Sequence, residues 1–284
     1  MTDIKNVFIV GAVCLTIANS ALANNVGQSV QIPMKDEGLL WSSNINLEAT
    51  LYKPVGKGPF PTVIFNHGST GPNVIPEDHT INPWGFGEYL VNKNIALLIP
   101  MRRGRGQSEG SYKERYTCDP KGIEEGLDYA MQSLDASYDY LLNQPWVDKE
   151  KVLLTGNSRG GILSLAYASE HPDAFSGVIN FSGGWVDDSC NNNNTSMNIP
   201  IFENAGSTFK APALFIYGRS DSYYSDTTIE SFARSYEQSG GNVDFKFYQL
   251  GKNVSGHDVF YKYGHLWSYV VDQYLIDIQF DVRP

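Results

Sequence analysis

Lys151-Val152-Leu153-Leu154-Thr155-Gly156-Asn157-Ser158-Arg159-Gly160-Gly161 runs from a short apolar segment through a glycine-flanked serine into the helical stretch 159–170. The apolar segment reads as a buried strand. A serine on so tight a strand-to-helix turn has strained backbone angles, and the small residues on either side let strand and helix approach closely. The pattern Gly156-Asn157-Ser158-Arg159-Gly160 is only moderately specific alone; between a strand and a helix it becomes strong. A phosphate-binding loop is the competing reading of a glycine-rich turn. No Gly-Lys-Ser or Gly-Lys-Thr follows, and the spacing is wrong for one.

Outward from this turn, short apolar runs bounded by polar, Gly or Pro residues predict strands at 62–66, 95–101, 152–156, 177–181, 213–217 and 243–249. An antiparallel-looking opening precedes them at 29–34 and 47–54. Helices are expected at 85–93, 122–144, 159–170, 227–238 and 266–276. In 122–144 the residues Leu127, Met131, Leu134, Tyr138 and Leu141 recur at three and four, and Pro145 ends the helix. The alternation implies an α/β fold with a mostly parallel central sheet and helices on both faces. Two stretches, 106–120 and 183–210, fit it poorly. Both follow a strand at the expected carboxyl edge, where such sheets bind ligands, and are expected to wall a substrate pocket.

A chain of 284 residues with 42% hydrophobic content can bury a substantial core in one large domain, 24–284. The formal net charge is -10 and the 21 Lys and Arg form no basic stripe, which argues against nucleic-acid binding. Lys5, the apolar run 7–18 and Ala21-Leu22-Ala23 read as a signal peptide cleaved after Ala23, hence a periplasmic or secreted protein. The run is too short for a membrane span, which needs about 20 residues. Cys14 would be removed, leaving Cys118 and Cys190 as the expected disulfide of an exported protein.

A serine hydroxyl is a weak nucleophile, so Ser158 needs a base, a group to orient that base and donors for an oxyanion. In the chain order serine, acid, histidine, the base follows the acid. Of the five His, His67, His79 and His171 come too early. His257, in Ser255-Gly256-His257-Asp258 after the last strand, is the candidate base, and His265 at the start of the final helix is the alternative. Asp221, just beyond the run 213–217 in Gly218-Arg219-Ser220-Asp221, is the candidate acid. Asp258 is its alternative, but being adjacent to His257 it would struggle to reach the ring's far nitrogen. The oxyanion donors are expected to be the backbone N–H of Arg159 and, from His67-Gly68-Ser69, that of Ser69, with Gly68 letting the backbone turn inward.

With these residues in place, the sequence resembles the dienelactone hydrolase and prolyl oligopeptidase branch of the α/β-hydrolase superfamily, from about Leu47 to the C-terminus. Beyond the Ser158 turn, the resemblance is carried by Pro100-Met101-Arg102-Arg103-Gly104-Arg105-Gly106-Gln107-Ser108-Glu109-Gly110, Gln144-Pro145-Trp146-Val147-Asp148 and Gly218-Arg219-Ser220-Asp221. It implies an α/β-hydrolase fold, the triad Ser158, Asp221 and His257, and no metal or organic cofactor. It does not imply a substrate. Dienelactone hydrolases carry a cysteine nucleophile where this chain has Ser158, and the propeller of prolyl oligopeptidases has no counterpart here. Arg102, Arg103 and Arg105 could bind a substrate carboxylate, although at least two are expected to be ion-pair or surface residues. The expected activity is acyl transfer from a carboxylic ester, with a small exo-acting serine peptidase as the alternative, because amides use the same machinery. The expected partner is thus a small-molecule ester or a short peptide. A non-catalytic binding protein on the same fold is the alternative from a different class.

Overall fold

The computed structural model describes residues 27–37, 42–70, 75–114, 118–186 and 196–280. The expected signal peptide 1–23 and Cys190 lie outside them, while Cys118 lies within. The strands are β1 (Gln28–Glu37), β2 (Ser42–Tyr52), β3 (Phe60–Asn66), β4 (Ala96–Pro100), β5 (Val147–Asn157), β6 (Gly177–Phe181), β7 (Ala213–Gly218) and β8 (Val243–Tyr248). They form one sheet in the order β1-β2-β4-β3-β5-β6-β7-β8. β2 pairs antiparallel with β1 and with β4, and every pairing from β4 across to β8 is parallel. This is the mostly parallel sheet that the alternation implies.

The strands read as continuous apolar runs because both faces of the sheet are covered. Ile64, Leu98, Leu154 and Phe215 belong to one apolar cluster, and their chain neighbours Val63, Leu97, Leu153 and Leu214 to the other, the period of two a strand requires. The first cluster takes in Leu134 of α2 (Pro120–Leu142), Leu163 of α3 (Arg159–Glu170), Phe202 of α4 (Ile199–Thr208) and Phe232 of α5 (Asp226–Gln238). The second takes in Phe86 of α1 (Trp84–Val91), Phe260 of α6 (Val259–Lys262) and Trp267 of α7 (Gly264–Asp277). At the head of α2 the Asp119 carboxylate accepts the Gly122 N–H at 2.8 Å, and Pro120 occupies the first turn, where its missing N–H is harmless.

Of the two stretches expected to wall the pocket, one does so and the other does not. The stretch 183–210 brings Gly184 and Val186 to the cavity at the sheet edge, as expected, and it also carries helix α4. The helix holds because Phe202 and Ala205 are buried, with Phe202 stacked on Phe232 at 4.6 Å. In the second stretch, 106–120, the described residues line no part of the catalytic cavity. They pack instead on β2: Glu109 accepts the Asn46 N–H at 2.7 Å, and Ser108 Oγ accepts that of Glu48 at 2.9 Å.

Register places the site. Asn66 pairs with Gly156, Asn157 with Phe181, Phe181 with Ile216 and Gly218 with Tyr248, so the carboxyl ends of β3, β5, β6, β7 and β8 lie along one edge. The loops that leave those ends carry the candidate residues.

Candidate active site

Ser158 stands alone between β5 and α3 with φ 57° and ψ -125°, a backbone conformation that costs a non-glycine residue about 1–3 kcal/mol. The fold holds it there. Its N–H donates to Phe181 O at 2.9 Å, and its carbonyl accepts from Gly161 N at 2.9 Å and Gly184 N at 3.3 Å. The turn needs its glycines: a Cβ on Gly160 would lie 1.8 Å from Asn66 O, and one on Gly156 would lie 2.3 Å from Gly160 O. The strand, the sharp turn and the helix thus present the Ser158 side chain at the sheet edge.

The segments bearing Asp221 and His257 are tied together. Gly256 N–H donates to Ser220 O at 3.2 Å, and Ser255 Oγ accepts from Ser222 N at 3.0 Å and His257 N at 3.2 Å. Asp221 Oδ2 lies 2.9 Å from His257 Nδ1, with the carboxylate side chain fully buried. Its other oxygen accepts the Tyr223 N–H at 2.8 Å and the Tyr224 N–H at 3.3 Å. Against a carboxylate, Nδ1 must be the donor, which leaves Nε2 as the basic nitrogen. The alternatives are engaged elsewhere: Asp258 takes Lys262 Nζ at 2.8 Å, and the His265 ring lies 6.0 Å from that of Tyr263.

Ser158, His257, Ser69 and Arg159 line one cavity of about 340 Å³, together with Gly68, Tyr223 and Tyr224. Burial, reinforced by the charge of Asp221, holds the Tyr224 hydroxyl pKa well above its ordinary value, so it stays a neutral group. Among the described residues, no cluster of three His, Cys, Asp or Glu could hold a metal ion. Nor is any described helix long and apolar enough to cross a membrane.

The loop after β3 contains a feature that the sequence did not signal. His67 is fully buried, and its Nε2 lies 3.1 Å from the backbone N–H of Arg102, which can only donate. Nδ1 therefore carries the proton and donates to Gly68 O at 2.7 Å. Burial, with the Arg102 guanidinium second, holds the ring pKa well below the ordinary histidine value, so the ring is neutral. Gly68 C=O and Ser69 N–H belong to one planar trans peptide and point in opposite directions. Fixing the first aims the second.

Of the three arginines after β4, Arg102 grips Glu114, with Nε to Oε1 at 2.5 Å, and donates to His67 O at 2.7 Å. Arg103 bonds Asp36 and stacks on Tyr129 at 3.7 Å, while Arg105 lies over Tyr112 at 3.2 Å and pairs with Glu77 at 3.6 Å. None of the three lines the cavity. Among the described residues the cation that does is Arg159, whose guanidinium lies 3.8 Å from Glu114 and 4.6 Å from the Trp185 ring centre. Glu114, buried between two guanidinium groups, is the second residue that sequence reasoning missed. It sits in a polar stretch that looks like surface.

The dienelactone hydrolase family model matches residues 47–252. The chain belongs to the dienelactone hydrolase family. Its sheet order and helix arrangement are those of the α/β-hydrolase fold to which the family's structural neighbours belong. A Pyrococcus furiosus esterase superposes with a TM-score of 0.62 at 17% identity, over 89% of this chain and 90% of that one. Est1E of Butyrivibrio proteoclasticus, solved with ferulic acid, gives 0.61 at 17% over 82% and 95%. The acylaminoacyl peptidase of Pyrococcus horikoshii gives 0.60 at 18%, over 90% of this chain but 42% of that one. A proline iminopeptidase of Thermoplasma volcanium is 33% identical over 95 residues, which span 34% of this chain and 27% of that protein. At these identities the structural neighbours establish the fold, and family membership marks the chain as a hydrolase.

Proposed function

We propose that this member of the family is a serine hydrolase of carboxylic esters that works through an acyl-enzyme on Ser158. Ser158 Oγ attacks the ester carbonyl while His257 Nε2 takes its proton, and the backbone N–H groups of Ser69 and Arg159 receive the oxyanion. His257 returns the proton to the departing alcohol. A water then gives a proton to His257 as it attacks the acyl carbon, and His257 passes that proton to Ser158 Oγ as the acid leaves. Asp221 keeps the His257 ring in its Nδ1–H tautomer throughout. The steps call on no metal or organic cofactor. The single observation behind this reading is the 2.9 Å contact of the buried Asp221 with His257 Nδ1, at a cavity that Ser158 also lines.

A fluorophosphonate probe is expected to label the wild type and not Ser158→Ala. Labelling that survives the substitution would assign the nucleophile elsewhere, and an unlabelled wild type would favour the binding-protein reading. The likeness to a proline iminopeptidase favours a second reading, a small exopeptidase. Parallel assays with p-nitrophenyl butyrate and aminoacyl p-nitroanilides separate the two, and faster anilide cleavage would overturn the ester reading. The leader 1–23 and the Cys118–Cys190 bridge belong to the same proposal: an exported enzyme of one domain, 24–284. Non-reducing mass spectrometry of the mature protein is expected to find no alkylatable thiol.

A further inference from the structure

Beside the catalytic cavity lies a groove of about 490 Å³ between the start of α1 and the segment from Phe260 to Ser268. Tyr261 lines both, and Ile81 in the cavity is followed in the chain by Asn82 in the groove, so the two spaces adjoin. The groove is floored by rings. Phe260 stacks on Trp267 at 5.7 Å and meets Phe86 edge-on at 5.5 Å. Two more rings line it while exposed to water: Trp84 is 66% and Tyr261 51% exposed. Large aromatic side chains left in water around a concave apolar surface mark a place where a ligand completes the packing.

The chemistry of that ligand follows from how the groove's polar atoms are used. Asn82 Oδ1 accepts from Tyr52 Oη at 2.8 Å. The Tyr89 hydroxyl donates to Ser268 O at 3.1 Å and lies against Asp272. Trp267 Nε1 donates to Phe260 O at 3.0 Å. A sugar ring, whose every hydroxyl demands a partner, would find these groups already committed. A planar aromatic ring demands only faces and edges, which Trp84, Tyr261 and the floor supply.

We infer that the groove is a substrate subsite for an aromatic ring carried by the ester, held at the rim by Trp84 and Tyr261. The inference rests on the ester-hydrolase reading and adds the substrate class. Two matched pairs of esters test it: methyl 3-phenylpropanoate against methyl butanoate, and 2-phenylethyl acetate against butyl acetate. The first pair places the ring on the acyl side, the second on the alcohol side. In one pair the wild type is expected to favour the aromatic member by about tenfold in kcat/KM, through KM. Trp84→Ala is expected to collapse that ratio, and Trp84→Phe to retain most of it. In a second measurement, saturation-transfer NMR on Ser158→Ala is expected to show 3-phenylpropanoate or 2-phenylethanol bound, according to which pair carries the preference, and Trp84→Ala in that background to weaken it by a similar factor.

Aliphatic and aromatic members cleaved alike, or a preference that survives Trp84→Ala, would overturn the subsite while leaving the esterase reading intact. A wild type that cleaves none of the four esters would overturn the functional reading instead. The NMR arm then still decides whether the groove takes the ring.

Discussion

His67→Ala isolates the step by which a buried ring aims a catalytic donor. The substitution strips the partner from the buried Arg102 N–H at 3.1 Å and from Gly68 O at 2.7 Å, which is only part-buried at the cavity wall. Leaving the buried donor unsatisfied costs about 1–3 kcal/mol, whereas water can reach Gly68 O, so stability should fall by about 1–3 kcal/mol. With Gly68 O released, the peptide that carries Ser69 N–H can rotate away from the developing oxyanion. Losing one such donor is worth about 2.7–4 kcal/mol, or about 10²–10³ in kcat. Two further variants separate the effects. In His67→Asn the amide nitrogen lies where Nδ1 lay and can hold Gly68 O, whereas in His67→Gln the longer amide reaches toward Arg102 N–H. Catalysis should therefore recover more in the Asn variant and stability more in the Gln variant. The assay measures kcat and KM on p-nitrophenyl butyrate, inhibition by a trifluoromethyl ketone that mimics the tetrahedral intermediate, and calorimetric Tm. The ketone's affinity should fall in step with kcat while KM changes little. A folded His67→Ala protein that keeps kcat and ketone affinity within about threefold of the wild type would refute the reasoning, since an aimed donor is worth far more.

Asp221→Asn should keep the fold but stabilise the wrong tautomer of His257, lowering kcat by about 10⁴; the pre-steady-state burst of p-nitrophenol should slow by the same factor. Glu114→Gln removes the charge from a carboxylate buried beside Arg102 at 2.5 Å and Arg159 at 3.8 Å. Breaking a buried pair in this way should cost about 3–5 kcal/mol, read as a drop in the urea midpoint. The depressed pKa of His67 makes stability depend on pH, because the unfolded chain binds a proton that the folded ring refuses. Its contribution is complete above the ordinary histidine pKa of about 6.5 and is lost as pH falls from there toward the folded value, at up to about 1.4 kcal/mol per unit. In His67→Asn the slope of stability against pH below 6.5 should fall by one proton's worth, whatever its absolute stability.

The parts of the fold that were legible are those fixed by local pattern. The apolar run of β6 ends at the residues the sequence suggests, Gly177–Phe181, and α3 likewise spans Arg159–Glu170, because β5, the Ser158 turn and the helix follow one another without a break. Helix α4 was not legible. Asn198 provides no side-chain cap, and Gly206, Ser207 and Thr208 at its end are poor helix formers. Its formation comes from tertiary contacts, including the close approach of Gly206 to Tyr236, where a Cβ would lie 2.1 Å from the backbone oxygen. In the site, Asp221 and His257 could be named because chain order and strand ends constrain them. The role of His67 could not, because it rests on what its two ring nitrogens touch. Nor could that of Glu114, a buried counter-ion within a segment whose composition suggests solvent.

The sheet edge has a consequence for how the molecule comes to be active. The loop after β3, the turn after β5 and the segments after β6, β7 and β8 each bring a part to the cavity, so its lining is drawn from Gly68 to Tyr261. No fragment shorter than 68–261 contains it, and β8, with the segment that follows it, must dock before His257 can meet Asp221. Such long-range pairing is slow and late in folding. Hydrolytic activity should consequently appear during refolding only with the final, global phase, which makes turnover a more stringent reporter of the native state than helix content.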